Sequence, residues 1–187
     1  MSTKLTLAKM IAILAITLPA WAQNSAPELS LGDAAPDLDI TIIKGEPVNI
    51  HAQGGENVFL VEFWATWCPA CRASMPHLSE LQQKHEDEGL IVVGISIGED
   101  PEVVRAFVDE DKSRMKYTVA VDRNLATAYS YMLPFGEENI PHAFIVDESG
   151  ALVWHGHPAD PSLEEVLVGL FENAVDASAE VRPGHNR

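Results

Sequence analysis

An α/β fold, with a central mixed β-sheet flanked by helices, is what this chain predicts, and three observations predict it. Two apolar runs, Val58-Phe59-Leu60-Val61-Glu62-Phe63-Trp64 and Leu90-Ile91-Val92-Val93-Gly94-Ile95-Ser96-Ile97, suit strands buried on both faces. Stretches with apolar residues at helical spacing separate the apolar runs, the alternation that lays helices on both faces of a sheet. Near the C-terminus, Ala143 to Val146 and Ala151 to Trp154 flank a turn at Gly150, which adds a hairpin before one last helix.

The elements follow in order. Lys4 and Lys9 precede the apolar segment Met10 to Leu18, and Ala20-Trp21-Ala22 gives an Ala-x-Ala pattern, so residues 1–22 read as a secretory signal peptide cleaved before Gln23. The apolar segment is short against the roughly 20 residues of a membrane span; an uncleaved anchor is the alternative. No cysteine stands at the cleavage point, which excludes a lipoprotein anchor. Residues 23–36, rich in proline and small polar side chains, read as a linker, 37–178 as one domain and 179–187 as a flexible tail. Within the domain, Leu38 to Ile43, a turn at Gly45 and Val48-Asn49-Ile50 predict an N-terminal β-hairpin extension. After the strand at Val58, residues 70–86 carry Met75, Leu78 and Leu81 at helical spacing. Leu90 to Ile97 is the next strand, and 101–112 a helix with Pro101 in its first turn. A strand (Tyr117 to Val121), a helix (Asn124 to Met132), the C-terminal hairpin and a helix (Ser162 to Ala177) complete the domain.

Removal of the leader takes 22 of 187 residues and leaves 165, enough for one domain with a full core. The formal charge of −16 becomes −18 once Lys4 and Lys9 depart, a surface that repels nucleic acid and anionic headgroups. No nucleic-acid partner is expected.

Chemistry concentrates at Trp67-Cys68-Pro69-Ala70-Cys71, which contains both cysteines of the chain. Two cysteines two residues apart at a helix start can close a small disulfide, and the helix amides and dipole stabilise a thiolate. A structural zinc site would want a second pair of ligands at short spacing; apart from His155-x-His157 the histidines are scattered, so no metal is assigned. A structural staple gains little from so short a loop. Thiol-disulfide exchange remains, in a compartment outside the cytoplasm, the periplasm of a bacterium, where disulfides persist.

Val61 to Cys71 resembles the active-site segment of thioredoxins, and more closely that of the periplasmic TlpA-like and ResA-like thiol-disulfide oxidoreductases. Pro76, the late Ile140-Pro141 before Ala143-Phe144-Ile145-Val146-Asp147, and the Glu148-Ser149-Gly150 turn extend the likeness over roughly residues 30–175. The resemblance implies a thioredoxin fold with an N-terminal β extension, protein thiol or disulfide substrates, a membrane-embedded electron donor and no cofactor. It also implies a reducing role, of the kind that prepares cysteines for cytochrome or oxidase assembly.

Cys68, at the helix tip, is expected to be the exposed nucleophile, and Cys71, one turn inside, the buried resolving thiol. Pro69 has no amide hydrogen and Ala70 no charge, so they tune the thiolate only mildly. Glu62 stands six residues before Cys68, where thioredoxins carry a buried aspartate that accepts the resolving thiol's proton; a carboxylate in an apolar strand should have a raised pKa. By the same resemblance Ile140-Pro141 is a cis bond facing the disulfide, and the Ile140 backbone pairs with extended substrate. Trp67 supplies an apolar contact beside the sulfur or caps the core. His142, His155 and His157 depart from the family, and His155-Gly156-His157-Pro158 is expected to leave the last strand at the loop bordering the active site; the plainer reading makes each a surface residue, while a protonated imidazole near Cys68 would favour its thiolate and make reactivity depend on pH. Phe135 to Asn139 is an acidic insert on the partner side. Two further classes stay open: a peroxiredoxin-like peroxidase, since Leu31 to Leu38 resembles the opening of that family although its Pro-x-x-x-Thr-x-x-Cys site is replaced, and a copper-binding assembly protein using Cys68, Cys71 and a nearby histidine.

Overall fold

The structure, a computed structural model, describes residues 29–180. The expected leader, the first part of the linker and residues 181–187 of the expected tail lie outside the described residues. Strands β1 (Ile40–Lys44), β2 (Val58–Trp64), β3 (Leu90–Ser96), β4 (Thr118–Asp122), β5 (His142–Val146) and β6 (Leu152–Gly156) form one sheet in the order β1-β4-β3-β2-β5-β6. Helices α1 (Ile50–Gln53), α2 (Pro69–His85), α3 (Pro101–Glu110), α4 (Ala126–Met132) and α5 (Pro161–Glu180) connect or follow them. Strands β2, β3 and β4 run parallel, while β1, β5 and β6 are antiparallel to their neighbours. This is the thioredoxin-like fold that the sequence predicts.

Every residue of β2 is buried. Val58, Leu60 and Trp64 enter one core with α2, α3 and α5; Phe59, Val61 and Phe63 enter a second with α1 and α4. Alternation along the strand therefore puts the Glu62 side chain on the α2 face. Full burial of each large apolar side chain contributes about 1.5–3 kcal/mol, so the strand that ends at the cysteines is among the most firmly held parts of the domain.

The N-terminal extension differs from the predicted hairpin. Its first arm is β1, which pairs with β4 at the sheet edge, Ile40 opposite Asp122. Val48-Asn49-Ile50 is not a strand: the Asn49 side chain accepts the Ala52 N–H at 2.9 Å and starts α1. Gly45 turns the chain away from β4 at φ +91, where a Cβ would stand 2.5 Å from the Thr118 hydroxyl. Part of the expected linker is also bonded to the sheet, because Gly32 N–H donates to the Leu152 carbonyl at 2.7 Å and Ala35 N–H to that of Gly150 at 2.8 Å.

Two other boundaries shift for local reasons. Asn124 and Leu125 take left-handed backbone (φ 55 and 62), so α4 begins at Ala126, capped by the Asp122 carboxylate on the Thr127 and Ala128 amides at 3.0 and 2.7 Å. Strand β6 runs on to Gly156, which places His155 inside the sheet, opposite Phe144, rather than in the loop beyond it.

Candidate active site

The central strand β2 hands the chain to α2 through Ala65-Thr66-Trp67. Glu99 fixes this turn: its carboxylate accepts the Thr66 N–H at 2.8 Å, the Thr66 hydroxyl, and the Ser96 hydroxyl at 2.7 Å. Cys68 follows as the N-cap, in extended backbone (φ −87, ψ 108), and its sulfur does the work of a capping oxygen by accepting the Cys71 N–H at 3.1 Å. Pro69 occupies the first helical position, where its missing donor leaves nothing unpaired. The amide of Cys71 is thus the one aimed at the sulfur, at the electropositive end of a 17-residue helix.

Cys68 and Cys71 are joined in a disulfide. Cys68 keeps 5% of its surface and Cys71 none, so an incoming group reaches the pair at Cys68. Beside it Trp67 is 68% exposed, which removes a core-capping role, and Pro69 is exposed. Opposite, the Ile140–Pro141 bond is cis, and the Ile140 carbonyl oxygen lies 3.9 Å from Cys68 Sγ. Because a disulfide sulfur carries no hydrogen, that approach is a van der Waals contact. No backbone hydrogen bond engages the Ile140 amide among the described residues.

Glu62 is fully buried, and neither carboxylate oxygen has a hydrogen-bond partner among the described residues. Desolvation pushes its pKa up to about 8. Gly94 lies across from it on β3, and a Cβ there would stand 2.9 Å from the Tyr117 ring and 3.2 Å from the Trp64 Nε1. The missing Cβ leaves both rings room to approach the β3 backbone at the position paired with Glu62. The Tyr117 hydroxyl and Trp64 Nε1 are likewise buried without partners, and burial, followed by the Glu62 charge, holds the Tyr117 hydroxyl well above its ordinary pKa.

The histidines bond to one another and to loops. His142, buried at the start of β5, has Nε2 3.1 Å from His155 Nδ1 and Nδ1 3.7 Å from a Glu137 carboxylate oxygen. Burial lowers the His142 pKa, against the Glu137 charge that raises it. His157 Nδ1 accepts the Ala159 N–H at 3.0 Å. Glu99 and Glu137 take part in this neighbourhood without having been singled out from the sequence; the acidic insert is the one signal that pointed near Glu137.

A family model described as AhpC/TSA matches residues 31–155. The chain belongs to the AhpC/TSA family. Among curated proteins this AhpC/TSA member is similar to the thiol-disulfide oxidoreductase ResA of Bacillus thuringiensis, 29% identical over 126 residues that cover 67% of this chain and 69% of the relative. Among solved structures it is similar to a candidate protein disulfide isomerase from Bacteroides thetaiotaomicron (25% identity, TM-score 0.66, covering 77% of this chain and 91% of the other). A candidate thiol:disulfide interchange protein DsbE from Chlorobium tepidum is similar as well (26% identity, TM-score 0.63, covering 78% and 98%). The family, the fold and the closed Cys68–Cys71 pair bear out the expected enzyme class, a thiol-disulfide oxidoreductase of the ResA type. Among the described residues no helix is long and apolar enough to cross a membrane.

Proposed function

We propose that this AhpC/TSA member reduces disulfides of extracytoplasmic proteins, with Cys68 as nucleophile and Cys71 as resolving thiol. The observation that carries the assignment of roles is the asymmetry of the pair: Cys68 alone reaches the surface, and its sulfur alone receives a helix amide. In the reduced enzyme the Cys68 thiolate attacks one sulfur of a substrate disulfide, forms a mixed disulfide and expels a substrate thiolate. Cys71 gives its proton to Glu62 and attacks Cys68 Sγ. The second substrate thiolate leaves, the Cys68–Cys71 bond closes, and two electrons have passed to the substrate. A carboxyl with a pKa near working pH suits that proton transfer.

Trp67, Pro69, Ile140 and Pro141 form the docking edge in this proposal. The Ile140 amide and carbonyl pair with an extended substrate segment, and the exposed indole packs on its side chains. The reducing direction, a membrane-embedded electron donor and a periplasmic location reached through the leader at residues 1–22 follow from the likeness to ResA and from the leader pattern. Residues 37–178 would act as one domain there.

The test is trapping with a disulfide-bonded protein substrate. Cys71→Ser should accumulate a covalent adduct that dithiothreitol releases, and Cys68→Ser should form none and lose reductase activity. Adducts on Cys68→Ser instead would reverse the roles. A reduction potential of the pair above that of its protein substrates would overturn the reducing direction.

A further inference from the structure

The thiol chemistry does not use a second cluster of donor atoms, close to Ile140 in the chain. Glu137, His142 and His155 come from three elements: the insert before Ile140, the first position of β5, and β6. One ligand atom from each lies within 4.8 Å of the others. We propose that these three side chains hold a divalent cation of the Zn2+ type.

Four observations support a site rather than a closed hydrogen-bond network. The first is spacing: the three donor atoms lie within 4.8 Å of one another, against the roughly 3.3 Å between donors that bonds of about 2.0–2.1 Å set in a tetrahedral zinc site, and side-chain rotation would bring His155 and Glu137, now on different nitrogens of His142, to one of them. The second is incomplete pairing. The two imidazoles share one contact at 3.1 Å, whereas the Glu137 carboxylate stands 3.7 Å from His142, beyond hydrogen-bond range, and has no other polar partner among the described residues. The third is donor chemistry, since two imidazoles and a carboxylate suit a borderline divalent ion.

The fourth is the surroundings. The Phe135 ring lies 4.4 Å from His155, and Phe144 lies 5.1 Å from His142 and 5.7 Å from His155, an apolar wall of the kind that limits solvent at metal sites. Burial is graded to match: the His142 side chain is 7% exposed and that of Glu137 33%, which leaves one side open for a fourth ligand. Water, or exposed His157 two residues past His155, would complete the shell. Glu137 lies three residues before Ile140, whose carbonyl touches Cys68 Sγ, so an ion here would tie the docking edge to the β5–β6 hairpin.

The site stands apart from the redox assignment, and its test does too. Calorimetric titration of the untagged, full-length, disulfide-bonded chain with ZnCl2 at neutral pH keeps the sulfurs out of the equilibrium. One Zn2+ per chain should bind, with affinity lowered at least about tenfold by Glu137→Gln and by His155→Ala and unchanged by His51→Ala, a half-exposed histidine paired with Asp37 elsewhere. Glu137→Gln replaces a partly exposed group that makes no hydrogen bond, so its folding is not in question. Absence of stoichiometric binding in the wild-type chain, or equal binding in wild type and Glu137→Gln, would overturn the proposal.

Discussion

Replacing Glu62 with glutamine should make the oxidised protein more stable and its chemistry slower. Burial raises this carboxyl from an ordinary 4.5 to about 8. Since the folded-state value is the higher one, the contribution to stability is complete below pH 4.5, declines as pH climbs, and levels off once pH passes the folded value near 8. Each pH unit across that window is worth about 1.4 kcal/mol, so the acid lowers stability by about 3 kcal/mol at pH 7 and about 5 kcal/mol above pH 8. Glutamine has the same length and no charge to desolvate; its unpaired amide costs about as much as the unpaired carboxyl it replaces. Urea unfolding of oxidised wild type and Glu62→Gln should give similar stabilities at about pH 5 and curves that separate steadily up to about pH 8 and hold their distance above it, the variant being the more stable. The variant should also turn over about a hundredfold more slowly, within the range that proton transfer contributes, and lose the rise in activity toward pH 8. Stability curves that run parallel across the whole range would refute the burial argument, and an unchanged turnover would remove Glu62 from the proton path.

Three other changes probe separate parts of the site. The trapping pair, Cys68→Ser and Cys71→Ser, should leave the fold intact while dividing attack from resolution, as mass spectrometry of the adducts will show. Trp67→Ala removes an indole that is 68% exposed, so thermal unfolding should not move, while kcat/KM for a protein substrate falls about tenfold, or about 1.4 kcal/mol of lost contact; a shift in Tm with normal kinetics would return the indole to the core. Gly94→Ala forces a methyl against the Tyr117 ring and Trp64 Nε1, and should cost about 1–3 kcal/mol in denaturant unfolding; a neutral result would mean that the pocket over Glu62 is loosely packed.

Legibility followed the range of the interactions. The apolar runs of β2 and β3 and the helical spacing of α2 are local properties, and those elements lie within one or two residues of where the pattern puts them. The motif's place after a central strand followed from the same pattern. The N-terminal hairpin failed because its second arm contains Asn49, whose capping bond to Ala52 competes with strand pairing; apolar content alone reads both arms as strands. The reach of β6 depended on its register with β5, a nonlocal property, and with it went the position of His155. Glu99 and Glu137 were hidden for a related reason. Each is an ordinary acidic loop residue until the sheet brings Thr66 and Ser96 to the first, and His142 to the second.

The sulfur of Cys68 is both the reacting atom and the stopper of its own helix, so secondary structure and oxidation state are parts of one equilibrium. A thiolate takes an amide proton more strongly than a bridged sulfur does, and α2 should therefore begin more firmly in the dithiol form. By a thermodynamic cycle, any substitution that needs a well-anchored first turn will draw the couple toward reduction, even when it lies where no substrate reaches.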